Sequence, residues 1–271
     1  MAPQGSSSRL KVCAVSYLNT VPLVWGMLHG KQKGLFDLTF RVPSVCADMV
    51  ERGEADLGII PSIELSRQRL GVVPGVGIAC RGPVRSILLI SKVPAEAVTT
   101  LAADTSSRTS VQLARVLLAK RFGAEPQILP QAPDLVSMLG HADAALIIGD
   151  PALRLDPASL PFHVYDLGQE WTEWTGLPMV FAVWAGSPKC ITDEVIEAFQ
   201  DSCRWGMAHL DDIVAAEAGP RGFPPGLVRE YLNSNLVLEL GKAEYQGLET
   251  YLRYASSAPE KSWSLTLPSS L

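Results

Sequence analysis

Histidine is scarce in this chain, and the few present do not pair. His29, His141, His163 and His209 are the four in 271 residues. None stands four positions from another on an apolar helix, the spacing a helical zinc site needs. Cysteine is no better placed. Cys13, Cys46, Cys80, Cys190 and Cys203 are odd in number and widely separated, with no CxxC. Neither a disulfide framework nor a metal site is expected from them; the reading is reduced, mostly buried thiols acting as small apolar residues. GxGxxG, GxxxxGKS/T and GxSxG are all missing, which removes the usual signatures of nucleotide and esterase chemistry. No apolar run approaches a membrane span. The N-terminus, "MAPQGSSSRLKVCAVSYLN", lacks the basic start, apolar core and cleavage site of a secretory leader, so the expected setting is cytoplasmic. Positive charge is also short. A formal net charge of −5 argues against nucleic acid or an anionic membrane as partner. Any field that favours an anion must be local.

What is present is a core-forming composition, 47% hydrophobic and 19% charged, in a chain long enough for one large or two small domains. Strand-like and helix-like segments alternate from the start. "LKVCAVSYL", "LTFRVPSV" and "DLGIIPS" read as strands; "VPLVWGMLHG", "VCADMVERGEA" and "SIELSRQRLG" read as helices between and after them, the last with Ser62 as a candidate N-cap. "GVVPGVGIACRG" and "RSILLISKV" are expected as an extended pair. The alternation then repeats: "VTTLAAD" and "PQILPQ" as strands, "SSRTSVQLARVLLAKRFG" as the longest helix, and "DLVSMLG" as a short one. "AALII" and "MVFAVWA" are apolar on both faces and suit central strands. From about Thr192 the chain turns mostly helical, and the tail after Ala258 is expected to be poorly ordered. The fold class is α/β with two parallel sheets.

Ligands of such sheets bind beyond the carboxyl ends of the strands. That rule selects Ser16, Tyr17 and Asn19 after strand one, Pro61 and Ser62 after strand three, Thr105 to Thr109, and Gly149 with Asp150. Each residue has a plainer reading. Asn19 and Ser62 suit caps or turns. Ser86 opens an apolar strand, where a satisfied buried hydroxyl and a ligand contact are equally good accounts. Trp171, Trp174 and Trp184 are core packing or a wall for a flat ring, with packing favoured for Trp184. "DTSSRTS", residues 104 to 110, is harder to explain away. One helix cap does not need five hydroxyls. Thr105, Ser106, Ser107 and Thr109 beside free N–H groups and a positive dipole end make an anion socket. Arg108 adds a forked donor for a carboxylate, or reaches solvent.

Taken together, "SYLNTVPL", "GEADLGIIPSIE", "CRGPVRSILLIS", "DTSSRTSVQLARVLL", "AALIIGDPAL" and "YDLGQEWTEWTGLPMVFAVWAG" resemble the chorismate dehydratase family of the futalosine route to menaquinone. The resemblance runs from about residue 10 to 187. It implies a periplasmic-binding-protein type 2-like fold: lobe 1 from 1–92 and 185–271, and an inserted lobe 2 from 93–184, with a cleft between. It implies dehydration of chorismate to 3-(1-carboxyvinyloxy)benzoate with no cofactor and no metal. By the same match Asn19 and Ser86 are the active-site polar pair, and the hydroxyl loop is a carboxylate socket. With no histidine in a cleft motif, the expected base is a carboxylate of the substrate itself; Asp150 is the protein alternative. The competing class is a small-anion binding protein of the solute-receptor type. No helix-turn-helix segment supports a DNA-binding regulator.

Overall fold

The computed structural model describes residues 9–256; the tail after Ala258 lies outside the described residues. Two mixed sheets form the frame. The first has the order β11-β4-β10-β3-β1-β2, from β1 (Leu10–Val15), β2 (Phe36–Arg41), β3 (Leu57–Pro61), β4 (Gly71–Cys80), β10 (Met179–Gly186) and β11 (Val237–Glu239). The second has the order β7-β6-β8-β5-β9, from β5 (Ile87–Ser91), β6 (Thr100–Ala103), β7 (Gln127–Pro130), β8 (Ala144–Ile148) and β9 (His163–Asp166). The apolar runs are where the sequence puts them: β3, β5, β8 and β10 are buried at every position. Each has a strand on both sides, so neither face can be polar.

The sheets are not parallel throughout. β10 runs antiparallel to β3 and β4, and β5 runs antiparallel to β8 and β9. The reason is connectivity. β4 and β5 do not pair, contrary to expectation; the chain leaves the first sheet after β4, and a turn through Gly82 and Pro83 carries it into the second. It returns through residues 176–178, so β10 enters the first sheet from the far end. Both crossings differ from the limits expected at 92/93 and 184/185, because β5 belongs to the second sheet and β10 to the first.

Helices cover the sheets: α1 (Val21–His29), α2 (Pro43–Glu51), α3 (Arg108–Lys120), α4 (Leu135–His141), α5 (Gly149–Leu153), α6 (Leu167–Thr175), α7 (Asp193–Ala208), α8 (Leu210–Arg221), α9 (Pro225–Glu230) and α10 (Lys242–Ala255). Local chemistry fixes several ends. Ser107 caps α3, Asp166 caps α6 and Thr192 caps α7, each side chain accepting from a free N–H of the first turn. α7, at sixteen residues, is longer than α3 at thirteen. The segment after β3 is a short 3-10 turn, Ser62–Ser66, rather than a full helix, and Ser62 is its first residue, not its cap. Its hydroxyl is committed elsewhere, donating to Val180 O at 2.7 Å. Trp171 and Trp184 are fully buried, so both are packing. All five cysteines are free thiols, four of them buried. Among the described residues no helix is long and apolar enough to cross a membrane.

Candidate active site

A cavity of about 430 Å³ lies between the two sheets. Its floor and walls come from the carboxyl ends of β1, β3 and β8, the start of β5, and the first turn of α3. The polar side chains that line it are Tyr17, Asn19, Ser86, Ser107 and Ser110; Ile78, Ile87, Ile148 and Phe181 form the apolar part. None of the lining residues carries a formal charge. An anion here would meet hydroxyls, an amide and the N-terminal end of α3. That combination favours negative charge without a cation, because the free N–H groups and the helix dipole point outward at the first turn.

Several contacts join the sheets around this space. Ser44 N–H donates to Ser106 O at 2.9 Å, and the Tyr17 and Ser106 hydroxyls lie 3.3 Å apart. Burial pushes the Tyr17 phenol pKa up, with the Ser106 contact opposing it. On the other rim, Asp150 is held twice. Leu18 N–H donates to its Oδ1 at 2.9 Å, and Arg221 Nη1 donates to its Oδ2 at 2.6 Å. Arg221 also donates to Ser16 O and to Glu217. Gly149 sits against the Tyr17 ring: a Cβ there would come within 2.7 Å of it, and φ is +64°. Only glycine meets both conditions without strain.

The structure sorts the residues singled out from the sequence. Tyr17, Asn19, Ser86, Ser107 and Gly149 line the cavity. Ser106 touches it only through Tyr17. Ser16 and Thr105 are exposed. Ser62 and Thr109 are fully buried and face each other, Oγ to Oγ1, at 3.4 Å, while Thr109 Oγ1 also accepts from Ile63 N–H at 3.2 Å; they fasten α3 to the first sheet. Arg108 finds its carboxylates within the protein, donating to Glu64 Oε1 at 2.9 Å and Asp48 Oδ1 at 2.6 Å. Glu64 is wholly buried, and an unpaired charge there would be costly, so this arginine is spent on it. Asp150 does not line the cavity, and both its oxygens are engaged. Among the described residues no group of three or more His, Cys, Asp or Glu is placed to hold a metal.

Two residues escaped the sequence reading. Ser110 lines the cavity one turn into α3, its hydroxyl 3.0 Å from that of Ser107. Tyr231 lies behind Ser86 and donates to its Oγ at 2.8 Å. The phenol is fully buried, which drives its pKa up, and contacts with Ser86 and Asn19 pull against that rise. A helical tyrosine so distant in the chain carries no local signal of this pairing.

Comparison with known proteins agrees with this geometry. A family model described as menaquinone biosynthesis matches residues 10–257. The chain belongs to the menaquinone biosynthesis family. A relative from Thermus thermophilus, named chorismate dehydratase, is 30% identical over 257 residues, covering 87% of this chain and 91% of its own. Among solved structures, a protein from Archaeoglobus fulgidus superposes with a TM-score of 0.72 at 16% identity, over 92% of this chain and 97% of that one. The periplasmic aliphatic sulphonate binding protein of Escherichia coli gives 0.60 at 15% identity over 98% of each chain. At such identities these likenesses establish the fold: this family member has the periplasmic-binding-protein architecture, two α/β units with a central cavity.

Proposed function

We propose that the chain is a carbon–oxygen lyase that dehydrates chorismate to 3-(1-carboxyvinyloxy)benzoate. The observation that carries the proposal is the cavity: neutral donors at the start of α3 face Asn19 and Ser86 across an apolar slot. Membership of the menaquinone family and likeness to a chorismate dehydratase supply the substrate. Chorismate needs these features. Its ring is flat enough for a slot of isoleucine and phenylalanine, and its ring carboxylate suits Ser107, Ser110 and the free N–H groups behind them.

The chemistry follows from conjugation. The C3–H bond is joined through a ring double bond to the carboxylate, so removing the proton pushes charge onto the carboxylate oxygens. Donors already aimed there stabilise that charge as an oxyanion hole does. The C4–O bond then breaks, its electron pair leaving with oxygen, and the ring becomes aromatic. The proton lost from C3 and the hydroxide lost from C4 together make one water. Asn19 and Ser86 hold the substrate and assist departure of the hydroxide. The base in this proposal is the substrate's enolpyruvyl carboxylate, because Asp150 already accepts from Leu18 and Arg221. Holding the carboxylate near C3 supplies several kcal/mol, the usual worth of orientation.

The two sheets are proposed to act as lobes that close on the substrate, hinged at residues 81–86 and 176–178. A binding protein without catalysis is the second reading, and the likeness to the sulphonate receptor favours it. Purified protein with Ser86→Ala and Asn19→Ala variants, each incubated with chorismate and followed by product mass, separates the two. The proposal expects loss of water with the parent chain and a large fall in rate with either variant. Chorismate that stays intact while raising the melting temperature would mark a binder.

A further inference from the structure

Ser86 stands where the chain enters the second sheet, with its hydroxyl in the cavity wall and 1% of the residue exposed. The partner of that hydroxyl among the described residues is Tyr231 Oη at 2.8 Å. A phenol is the stronger acid of the two, so the shared proton sits on tyrosine and Ser86 Oγ accepts it. The Ser86 proton is then free to point at whatever fills the cavity. Without Tyr231 the serine rotor would have no fixed direction.

Tyr231 opens a π-helical turn, Tyr231–Asn235, that follows α9 without a break. Such wide turns are rare and concentrate at functional sites. The last residue of the same turn, Asn235, donates through Nδ2 to Pro83 O at 3.1 Å. One turn therefore grips the crossover at two points, the Pro83 carbonyl and the Ser86 hydroxyl. From the opposite side Asp166 accepts from Val84 N–H at 3.0 Å and Arg85 N–H at 2.6 Å. Between them Arg85 is held at φ +66°, a left-handed conformation that side chains rarely adopt. Backbone held this far from its preference persists only where surrounding contacts over-determine it.

We propose that Tyr231 is a positioning residue for the dehydration: by donating to Ser86 Oγ it directs the Ser86 proton toward the departing C4 hydroxyl of chorismate. The inference rests on the chorismate dehydratase reading. No proton leaves Tyr231 in the cycle, since the hydroxide from C4 and the proton from C3 already balance as water.

Kinetics of Tyr231→Phe, Ser86→Ala and the double variant test it. Tyr231→Phe lowers kcat about 10- to 100-fold, the scale of a misplaced catalytic group, while KM stays within about threefold. The double variant is no slower than Ser86→Ala alone, because both changes remove one device. Multiplying losses, or a Tyr231→Phe enzyme with unchanged kcat, would overturn the inference. Should Tyr231→Phe not fold, 3-fluorotyrosine at position 231 keeps the shape and makes the phenol more acidic. The alkaline limb of kcat then moves to lower pH; an unmoved limb and unchanged kcat refute the proposal. A parent chain that leaves chorismate intact removes both this inference and the function it rests on, whereas an active parent with an indifferent Tyr231 removes this inference alone.

Discussion

Asp150→Asn separates two accounts of the reaction by orders of magnitude. Asp150 is the acidic group nearest the cavity rim, and its side chain is only 14% exposed. If it were the base, the amide would remove proton abstraction and cost about 10²- to 10⁴-fold in turnover. The structure assigns it a different task, joining Leu18 on one side of the cleft to Arg221 on α8. Asparagine keeps an oxygen for Leu18 N–H and loses the charge that Arg221 meets. Arg221 retains Glu217 at 2.7 Å and Ser16 O at 3.0 Å, so it is not left unpaired. The cost should therefore sit at the low end for a bond to a charged group, about 1.5 kcal/mol. For a chain of this length that lowers Tm by roughly 3–6 °C. Thermal unfolding and steady-state kinetics on the same preparation read both numbers. We expect kcat within about fivefold of the parent, KM raised, and the stated fall in Tm. A folded Asp150→Asn protein that loses 100-fold or more in kcat would refute substrate-assisted abstraction.

The hydroxyl loop divides in a second experiment. Ser110→Ala should weaken chorismate binding about tenfold, one hydrogen bond to a charged group, with stability nearly unchanged. Thr109→Val should do the reverse, losing about 1–2 kcal/mol in urea unfolding because Ile63 N–H is left without its acceptor. Equal effects from both would mean that the loop faces the cavity differently. A third test uses pH. Thr99 Oγ1 and the N–H groups of Thr99 and Thr100 converge on Asp143 Oδ2. Hydrogen bonding from the Thr99 side chain, above all, holds this carboxyl down to about 2. The folded value lies below the unfolded one, about 4. Its stabilisation is therefore present above pH ~4 and lost as pH falls through ~2. Asp143→Asn should flatten that limb of the acid unfolding curve, and an unaltered limb would contradict the assignment.

Much of this was legible in the chain. Apolar runs such as Ala144–Ile148 can only be central strands, and polar residues at their carboxyl ends fell on the cavity for Tyr17, Asn19, Ser107 and Gly149. What could not be read depends on partners far away in sequence. Nothing near Arg108 announces Glu64, buried and in need of a cation. Thr109 and Ser107 look alike in "DTSSRTS", yet one capped residue opens on the cavity and the other, two positions on, turns around the helix to Ile63. The direction of β10 depends on where the chain crosses between sheets, which one strongly bent residue, Arg85, helps to set. α8 was hidden by Gly219 and Pro220 near its end, although a proline in the last turn disturbs few bonds.

The most direct measurement of the central claim uses chorismate deuterated at C3. The purified chain, given this substrate and followed by mass spectrometry, should yield a product short of one water that carries no deuterium. It should form more slowly than from unlabelled chorismate when C3–H cleavage limits turnover. Unconverted chorismate, or a product that keeps its deuterium, would contradict elimination across C3 and C4.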